Sequence, residues 1–215
     1  MIKDLTNKTK EKLDEYLEFD SDLIFKICDY CEVYGGFLRD SINNIEPVDV
    51  DFMCLSNSSK ILFDILIENG YHYLRSTYPS KFIEQYKELR IINEPKTFIN
   101  KNFKKVQIIV PVNHTINNVD NNYTNYYRML QNVDFSCCGL SYNGNIIREN
   151  CYCALLHVLS KCYVINEEAW MYNQNRISER KFKIESKGFI ELDYKNEKYK
   201  AWKKRLERSG KLRCI

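Results

Sequence analysis

The sequence predicts a mixed α/β (α+β) protein in which a small mixed β-sheet is flanked by helices and followed by a helical C-terminal extension. Segments with helical and with strand periodicity alternate over the first 70 residues, and several strand-like segments then cluster in the middle of the chain. A further strand pair is marked by Asn143–Gly144, the strongest short hairpin signal present. These features predict a domain over residues 1–150 and a basic helical extension over 151–215.

The first half alternates cleanly between helix and strand signals. Thr9–Leu17 and Asp22–Cys28 carry apolar residues at helical spacing, and "EVYGG" predicts a short buried strand that ends at glycine. "FLRDSINN" predicts a helix, and "DVDFMCL" alternates like a strand before a helix over Ser58–Asn69 that Gly70 would cap.

The second half is assigned from the same two periodicities. Strands are predicted over "YHYL", "ELRIINE", "TFIN" and "KKVQIIVPV", and on both sides of the hairpin signal. Helices are predicted over Tyr123–Leu130, 151–163, Glu179–Lys187 and Lys195–Arg208, with "KGFIELD" running extended between the last two.

Composition points to a globular protein of a reducing compartment. Of the 215 residues, 44% are hydrophobic and 28% charged, and no apolar run approaches the roughly 18 residues of a membrane helix. The charged N-terminus lacks the apolar core of a signal peptide, so a cytoplasmic location without membrane association is expected. The nine cysteines are predicted to be free thiols. A zinc site from Cys151, Cys153, His157 and Cys162 is the weaker alternative.

Positive charge is concentrated at the C-terminal end. Residues 171–215 carry 14 Lys and Arg against 6 Asp and Glu, a net of +8, whereas the whole chain carries +3. Aromatic residues interleave with this charge at Tyr194, Tyr199 and Trp202. Such a segment could contact a phosphate backbone or could be a solvated helix face, and both interpretations stay open.

One stretch, "YGGFLRDSINNIEPVDVDF", carries the chemistry. Asp49 and Asp51 are two apart on the predicted strand, so both carboxylates face one way, about 6 to 7 Å apart along the chain. A bare pair of this kind is more often an acidic strand face than a metal site, although hard oxygen ligands suit Mg²⁺. Twelve residues earlier, Gly35 and Gly36 end a strand and would let the backbone approach phosphates closely.

This pattern resembles the signature of the polymerase-beta-like nucleotidyltransferase superfamily. Tyr34-Gly35-Gly36, twelve residues, then Asp49-Val50-Asp51-Phe52 is similar to the head domain of tRNA nucleotidyltransferases and bacterial poly(A) polymerases. The segment "VDFSCCGLSYNG" is loosely similar to a later segment of that family. The resemblance covers roughly residues 32–143 and implies the nucleotidyltransferase fold.

The resemblance also implies a site. Asp49 and Asp51 would hold two Mg²⁺ ions, Gly35 and Gly36 would contact the triphosphate of an NTP substrate, and Arg39 would neutralise phosphate charge or orient the glycine loop. Two departures follow from the sequence. The strand "KKVQIIVP" carries Gln107 where the family has an acid, which leaves Asp134 as the candidate third catalytic carboxylate. The chain also ends soon after the head-like region, where Arg176 and Arg180 could bind the nucleotide's base or phosphate.

The expected function is a minimal metal-dependent nucleotidyltransferase that transfers NMP to a hydroxyl and releases pyrophosphate, with an RNA 3′ end as the acceptor. Two alternatives remain open: nucleotidylation of a protein or small-molecule hydroxyl, and a degenerate RNA-binding module without catalysis. The sequence indicates neither the NTP used nor the oligomeric state.

Overall fold

A computed structural model describes residues 2–54, 58–74, 96–110, 133–151, 153–166 and 174–192. The helices are α1 (Ile2–Leu17), α2 (Ser21–Cys28), α3 (Gly36–Ile42), α4 (Ser59–Glu68), α5 (Ala154–Leu159) and α6 (Gln174–Glu185). The strands are β1 (Cys31–Tyr34), β2 (Asp49–Cys54), β3 (His72–Leu74), β4 (Lys96–Ile99), β5 (Lys105–Ile109), β6 (Leu140–Tyr142), β7 (Ile147–Glu149), β8 (Cys162–Tyr163) and β9 (Ile190–Glu191). The helices predicted over Tyr123–Leu130 and Lys195–Arg208, and the strand predicted at "ELRIINE", lie outside the described residues.

Seven of these strands form one mixed sheet, as the sequence predicts. Their order is β3-β4-β5-β2-β1-β6-β7. Strands β2 and β5 run parallel, and the other neighbours pair antiparallel. The predicted hairpin joins β6 to β7, where Gly144 adopts a φ of 91° and Asn143 Oδ1 accepts hydrogen bonds from the next backbone amides. Strand β2 therefore lies between β1 and β5, which places its two neighbours on opposite flanks of the Asp pair.

One face of the sheet forms the core with the helices. Alternate strand residues point to this face, and each is fully buried: Val33, Val50, Phe52, Phe98, Val106, Ile108 and Leu140. They join a single apolar cluster with residues of the first four helices, including Leu13, Ile27, Leu38 and Leu62. Burial on this scale, at roughly 1.5–3 kcal/mol for each large apolar side chain, holds the sheet and helices together.

The other face is polar and only partly buried. Tyr34 on β1 lies opposite Asp51 on β2, and Asp51 lies opposite Gln107 on β5. Asp49 lies opposite Lys105 in the same register. All five side chains are intermediate in exposure, and we call this surface the polar face.

The C-terminal region differs from the predicted single helix over 151–163. Helix α5 ends at Leu159, because Lys161 adopts a left-handed φ of 48° and the next two residues form β8. Strand β8 pairs in parallel with β9, inside the segment predicted to be extended. Helix α6 begins five residues earlier than the Glu179–Lys187 prediction. Within the described ranges, none of the helices has the length and apolar character needed to cross a membrane.

Candidate active site

Strand β2 presents Asp49 and Asp51 together on the polar face. The alternation that buries Val50 and Phe52 leaves both carboxylates partly exposed. Burial and the neighbouring charge of Asp49 raise the pKa of Asp51 well above its ordinary value. Asp51 Oδ1 is buried and receives no hydrogen bond from the described residues. A bound cation would remove both of these costs.

The residues on the polar face therefore fit a hard divalent cation in part. Two carboxylates can hold Mg²⁺ when substrate oxygens complete its coordination. No three His, Cys, Asp or Glu side chains come together as a metal site in the described part of the chain. Gln107, across from Asp51, offers a neutral oxygen on the adjacent strand, and its Nε2 lies 3.4 Å from Thr97 Oγ1.

Gly35 turns the chain directly beside the Asp51 carboxylate. It adopts a φ of 79° and a ψ of −132°, a conformation that strongly favours glycine, and its amide donates to Leu140 O at 3.0 Å. A methyl group on Gly35 would lie 3.9 Å from Asp51 Oδ2. The bare backbone thus adjoins the carboxylate without a side chain between them. The spacing of Gly35 and Asp51 in the sequence becomes direct proximity because β1 and β2 are antiparallel neighbours.

Arg39 supports the glycine turn from within the protein. Its side chain is 6% exposed and contacts Asp40 Oδ1 at 2.7 Å through both Nε and Nη2. A methyl group on Gly36 would lie 3.5 Å from Arg39 Nη2, so the guanidinium lies directly behind the turn. Of the two roles predicted for Arg39, this burial favours orienting the loop over contacting phosphate.

Asp134 is not beside Asp49 and Asp51 as part of a three-carboxylate group. Its carboxylate is hydrogen-bonded to Arg180 Nη1, and Arg176 Nε lies 3.9 Å from the same oxygen. The positive charge of Arg180 also opposes the upward pKa shift of Asp51, so the guanidinium acts on that carboxylate through space. Helix α6 therefore brings both predicted arginines to the edge of the site, and Asp134 binds them. Its predicted role as a catalytic carboxylate stays a prediction.

Several residues in the site are not evident from the sequence. Tyr34 packs beside Asp51, and burial together with that carboxylate raises the pKa of its hydroxyl. Cys138 Sγ accepts a hydrogen bond from Arg39 Nη1 at 3.2 Å, and its pKa is lowered by a hydrogen bond from Cys137 and by Arg39. Lys187 reaches Asp40 Oδ2 at 2.5 Å. In the sequence, only the adjacent Arg39 and Asp40 of the glycine motif indicate this buried cluster of charged side chains.

Comparison with known structures identifies the architecture. The chain superposes on a CCA-adding enzyme in complex with ATP with a TM-score of 0.56 at 14% identity, over 80% of this chain and 38% of that one. It superposes on the Thermotoga maritima CCA-adding enzyme complexed with tRNA with a TM-score of 0.54 at 14% identity, over 91% and 45% of the two chains. This chain has the nucleotidyltransferase fold of the CCA-adding enzymes. The fold predicted from the glycine and aspartate motif is confirmed.

The likeness extends to part of those enzymes. A CCA-adding enzyme in complex with CTP matches with a TM-score of 0.52 at 13% identity, over 79% of this chain and 39% of that one. The chain thus spans less than half the length of the CCA-adding enzymes it matches. No protein-family model and no curated protein sequence matches the chain. At such identities the nucleotidyltransferase fold is shared, whereas activity has to be argued from this chain's own residues.

Proposed function

We propose that this chain is a metal-dependent nucleotidyltransferase that transfers a nucleoside monophosphate from an NTP to a hydroxyl, with an RNA 3′ end as the preferred acceptor. The observation that carries the proposal is the proximity of the Gly35 turn to the Asp51 carboxylate. It joins a backbone that phosphates can approach closely to a pair of oxygen ligands for Mg²⁺. The structural neighbours are CCA-adding enzymes in complex with ATP, with CTP and with tRNA, which supports the substrate class.

Asp49 and Asp51 would hold Mg²⁺, which when bound supplies positive charge that offsets the charge of the triphosphate and the pyrophosphate leaving group. The turn at Gly35 and Gly36 would accept the phosphates against the bare backbone. The acceptor hydroxyl gives its proton to solvent water as its oxygen bonds to the α-phosphorus, and the bond from that phosphorus to the pyrophosphate oxygen breaks, so that pyrophosphate leaves. On the polar face the Asp pair lies between the glycine turn, which follows β1, and strand β5.

Arg180 and Arg176 would bind the nucleotide. Arg180 is held by Asp134 and lies near Asp51, where a guanidinium can donate to a base edge or a phosphate oxygen. Asp134 in this proposal orients Arg180 and Arg176, because its carboxylate is already hydrogen-bonded to Arg180. The C-terminal segment around α6 thus contributes to nucleotide binding as well as to packing.

Nucleotide transfer can be tested directly with each α-labelled NTP, Mg²⁺, and either total RNA or cell extract. We expect label on RNA with the native protein and none with the Asp49→Ala/Asp51→Ala variant. Asp64→Ala/Glu68→Ala removes the same charge from the exposed surface of α4 and should label RNA normally. Label on a protein or a small molecule instead of RNA would contradict the proposed acceptor. Absence of label from every acceptor would contradict the proposed activity.

A non-catalytic RNA-binding protein is the second candidate, and Gln107 favours it. This neutral side chain faces Asp51 from the adjacent strand, where a third acid would complete a metal site. Gln107→Glu distinguishes the two. If the native protein is a slow enzyme, the variant should transfer nucleotide faster, because the added carboxylate strengthens cation binding. RNA binding without label in either protein would support the second candidate.

A further inference from the structure

Phe103 is the most exposed large apolar side chain among the described residues. It is 82% exposed and lies in the loop between β4 and β5. Its backbone adopts a left-handed φ of 61°, a conformation that is unfavourable for a bulky residue. The fold therefore holds an aromatic ring in solvent at an energetic cost.

The loop that carries Phe103 is rigid. Asn100 is 7% exposed, and its Oδ1 accepts hydrogen bonds from the amides of Asn102 at 3.0 Å and Lys104 at 2.9 Å. Its backbone closes the same loop, with Asn100 N donating to Lys104 O and Phe103 N donating to Asn100 O. A ring on such a loop loses little conformational freedom when it binds a partner.

Tyr16 attaches this loop to the strand of the Asp pair. Its hydroxyl accepts from Lys105 N at 3.0 Å and donates to Val48 O at 2.8 Å, immediately before Asp49. Strand register then places Lys105 beside Asp49 on the polar face. Phe103 thus lies two residues before Lys105, which is adjacent to the proposed catalytic carboxylate of Asp49.

The NTP and the acceptor should approach β2 from its two opposite flanks. An in-line displacement needs the attacking and leaving oxygens on opposite sides of the phosphorus. The glycine turn lies on the β1 flank, so the triphosphate and its leaving group belong there. The acceptor must then approach from the β5 flank, which ends in the Phe103 loop.

The chemistry of the loop fits a nucleic acid. Its sequence from 101 to 105 is Lys-Asn-Phe-Lys-Lys, so one ring stands among basic and polar side chains. Lys101 and Lys105 form no ion pair with any described residue, whereas Lys104 is paired with Glu46 at 2.9 Å. A stacking ring with adjacent cations is the arrangement that binds single strands without sequence readout. A protein partner would more commonly require a larger apolar patch around the ring.

We propose that Phe103 stacks on a base of a single-stranded RNA acceptor, upstream of its reacting 3′ end, while Lys101 and Lys105 contact its phosphates. The statement that this RNA is the acceptor of the transfer reaction rests on the proposed function. Binding of the strand itself does not, because stacking and phosphate contacts require neither NTP nor metal.

The test measures the affinity of a fluorescein-labelled 12-nucleotide single-stranded RNA by anisotropy at low salt, without NTP. Phe103→Asn should weaken binding about 5- to 150-fold, the range associated with losing one base–aromatic stack. Phe103→Trp should preserve binding. Phe182→Ala removes another exposed aromatic ring, on α6 and 73% exposed, and should leave affinity within twofold. Lys105→Gln should lower the slope of log affinity against log salt by about 0.7.

Folding is controlled by thermal melting. Asparagine tolerates a left-handed backbone better than phenylalanine, so Phe103→Asn should melt at the same temperature or higher. Weaker RNA binding in a variant that is at least as stable then reports the loss of stacking. A 2-aminopurine in the RNA should also be quenched by the native protein and less by Phe103→Asn.

The proposal is overturned if Phe103→Asn binds RNA within twofold of the native protein, or if the native protein does not bind the RNA at all. It is also overturned if Phe103→Asn impairs labelling of a protein acceptor and leaves RNA affinity unchanged. Failure of the proposed function gives a separate result: RNA affinity would depend on Phe103, but no nucleotide would be transferred. If nucleotide transfer to RNA does not depend on Phe103, the proposed function would stand and the proposal that Phe103 binds the acceptor would fail.

Discussion

The two faces of the seven-stranded sheet are built from the same strands, yet they carry opposite chemistry. On β2, Val50 and Phe52 are fully buried against the helices, whereas Asp49 and Asp51 are partly exposed on the polar face. The helix-covered face gains stability from apolar burial. The polar face holds two like charges on one strand, and one of their oxygens is buried without a partner among the described residues. This difference indicates that one face stabilises the fold and the other is kept for binding.

The largest contrast between the two faces is expected from substitutions of the adjacent residues Asp51 and Phe52. Asp51→Asn should lower nucleotide transfer on the order of 10³-fold, because it would remove a charged ligand from the proposed cation site. The same change should leave the free energy of unfolding equal or higher, since it removes the repulsion from Asp49 and a poorly solvated charge. Phe52→Ala should instead cost about 3–5 kcal/mol in stability. Transfer assays and urea unfolding measure the two effects.

The opposite result would contradict the assignment of stability to the helix-covered face and of binding to the polar face. If Asp51→Asn destabilised the protein by as much as Phe52→Ala, the carboxylate would be structural rather than a cation ligand. The exposed pair Asp64→Ala/Glu68→Ala controls for a general effect of lost negative charge.

A smaller effect is expected for the ion pair that connects α3 to the segment after α6. Asp40 on α3 accepts Lys187, just beyond α6, and also binds the buried Arg39. In a double-mutant cycle of Asp40→Asn and Lys187→Met we expect a coupling energy of about 0.5–3 kcal/mol, since the residues are in direct contact. The KM for NTP should rise in Lys187→Met, because α6 carries Arg176 and Arg180.

Lys181→Met is the matched control, since Lys181 lies on α6, six residues before Lys187, but binds the exposed Glu191 at 2.6 Å. An unchanged KM in Lys187→Met, together with reduced stability, would mean that the ion pair holds α6 without positioning its arginines.

An effect that depends on pH is expected from the buried His157. Burial lowers its pKa to about 4, and its Nδ1 lies 2.7 Å from Ser136 Oγ, which accepts a hydrogen bond from Val164 N at 2.8 Å. Its folded pKa is below the unfolded value of about 6.5, so the unfolded chain binds the proton more readily. Stability should therefore fall as the pH decreases from about 6.5 towards 4, by about 2 kcal/mol at pH 5 from this group.

Urea unfolding of the native protein and of His157→Gln, at pH 7.5 and pH 5, checks this effect. The difference between the two pH values should be smaller in the variant by roughly that amount. Equal pH dependence would show that His157 is not the group that titrates. His72→Gln, at an exposed strand position, should behave like the native protein.

The local elements of the first 70 residues could be predicted because their signals are local. The glycine turn, the alternation on β2 and the helix capped at Gly70 depend on neighbouring residues and on backbone preferences. The end of α5 at Leu159 could not be predicted in this way. The pairing of Cys162 with Ile190 recruits the next residues into a strand, and it depends on a partner 28 positions away.

The alternation on β2, the glycine turn and the interval of twelve residues between them are properties of the sequence alone, and these were enough to predict the fold. Which neighbours the charged residues have depends on how the elements pack. In the folded protein Arg39 is buried against Asp40, and Asp134 is hydrogen-bonded to Arg180. Gln107 and the Phe103 loop lie on the flank of β2 away from the glycine turn. Charge and hydrogen bonding act through space, so residues 46 or 147 positions apart became partners only after the sheet and α6 had packed.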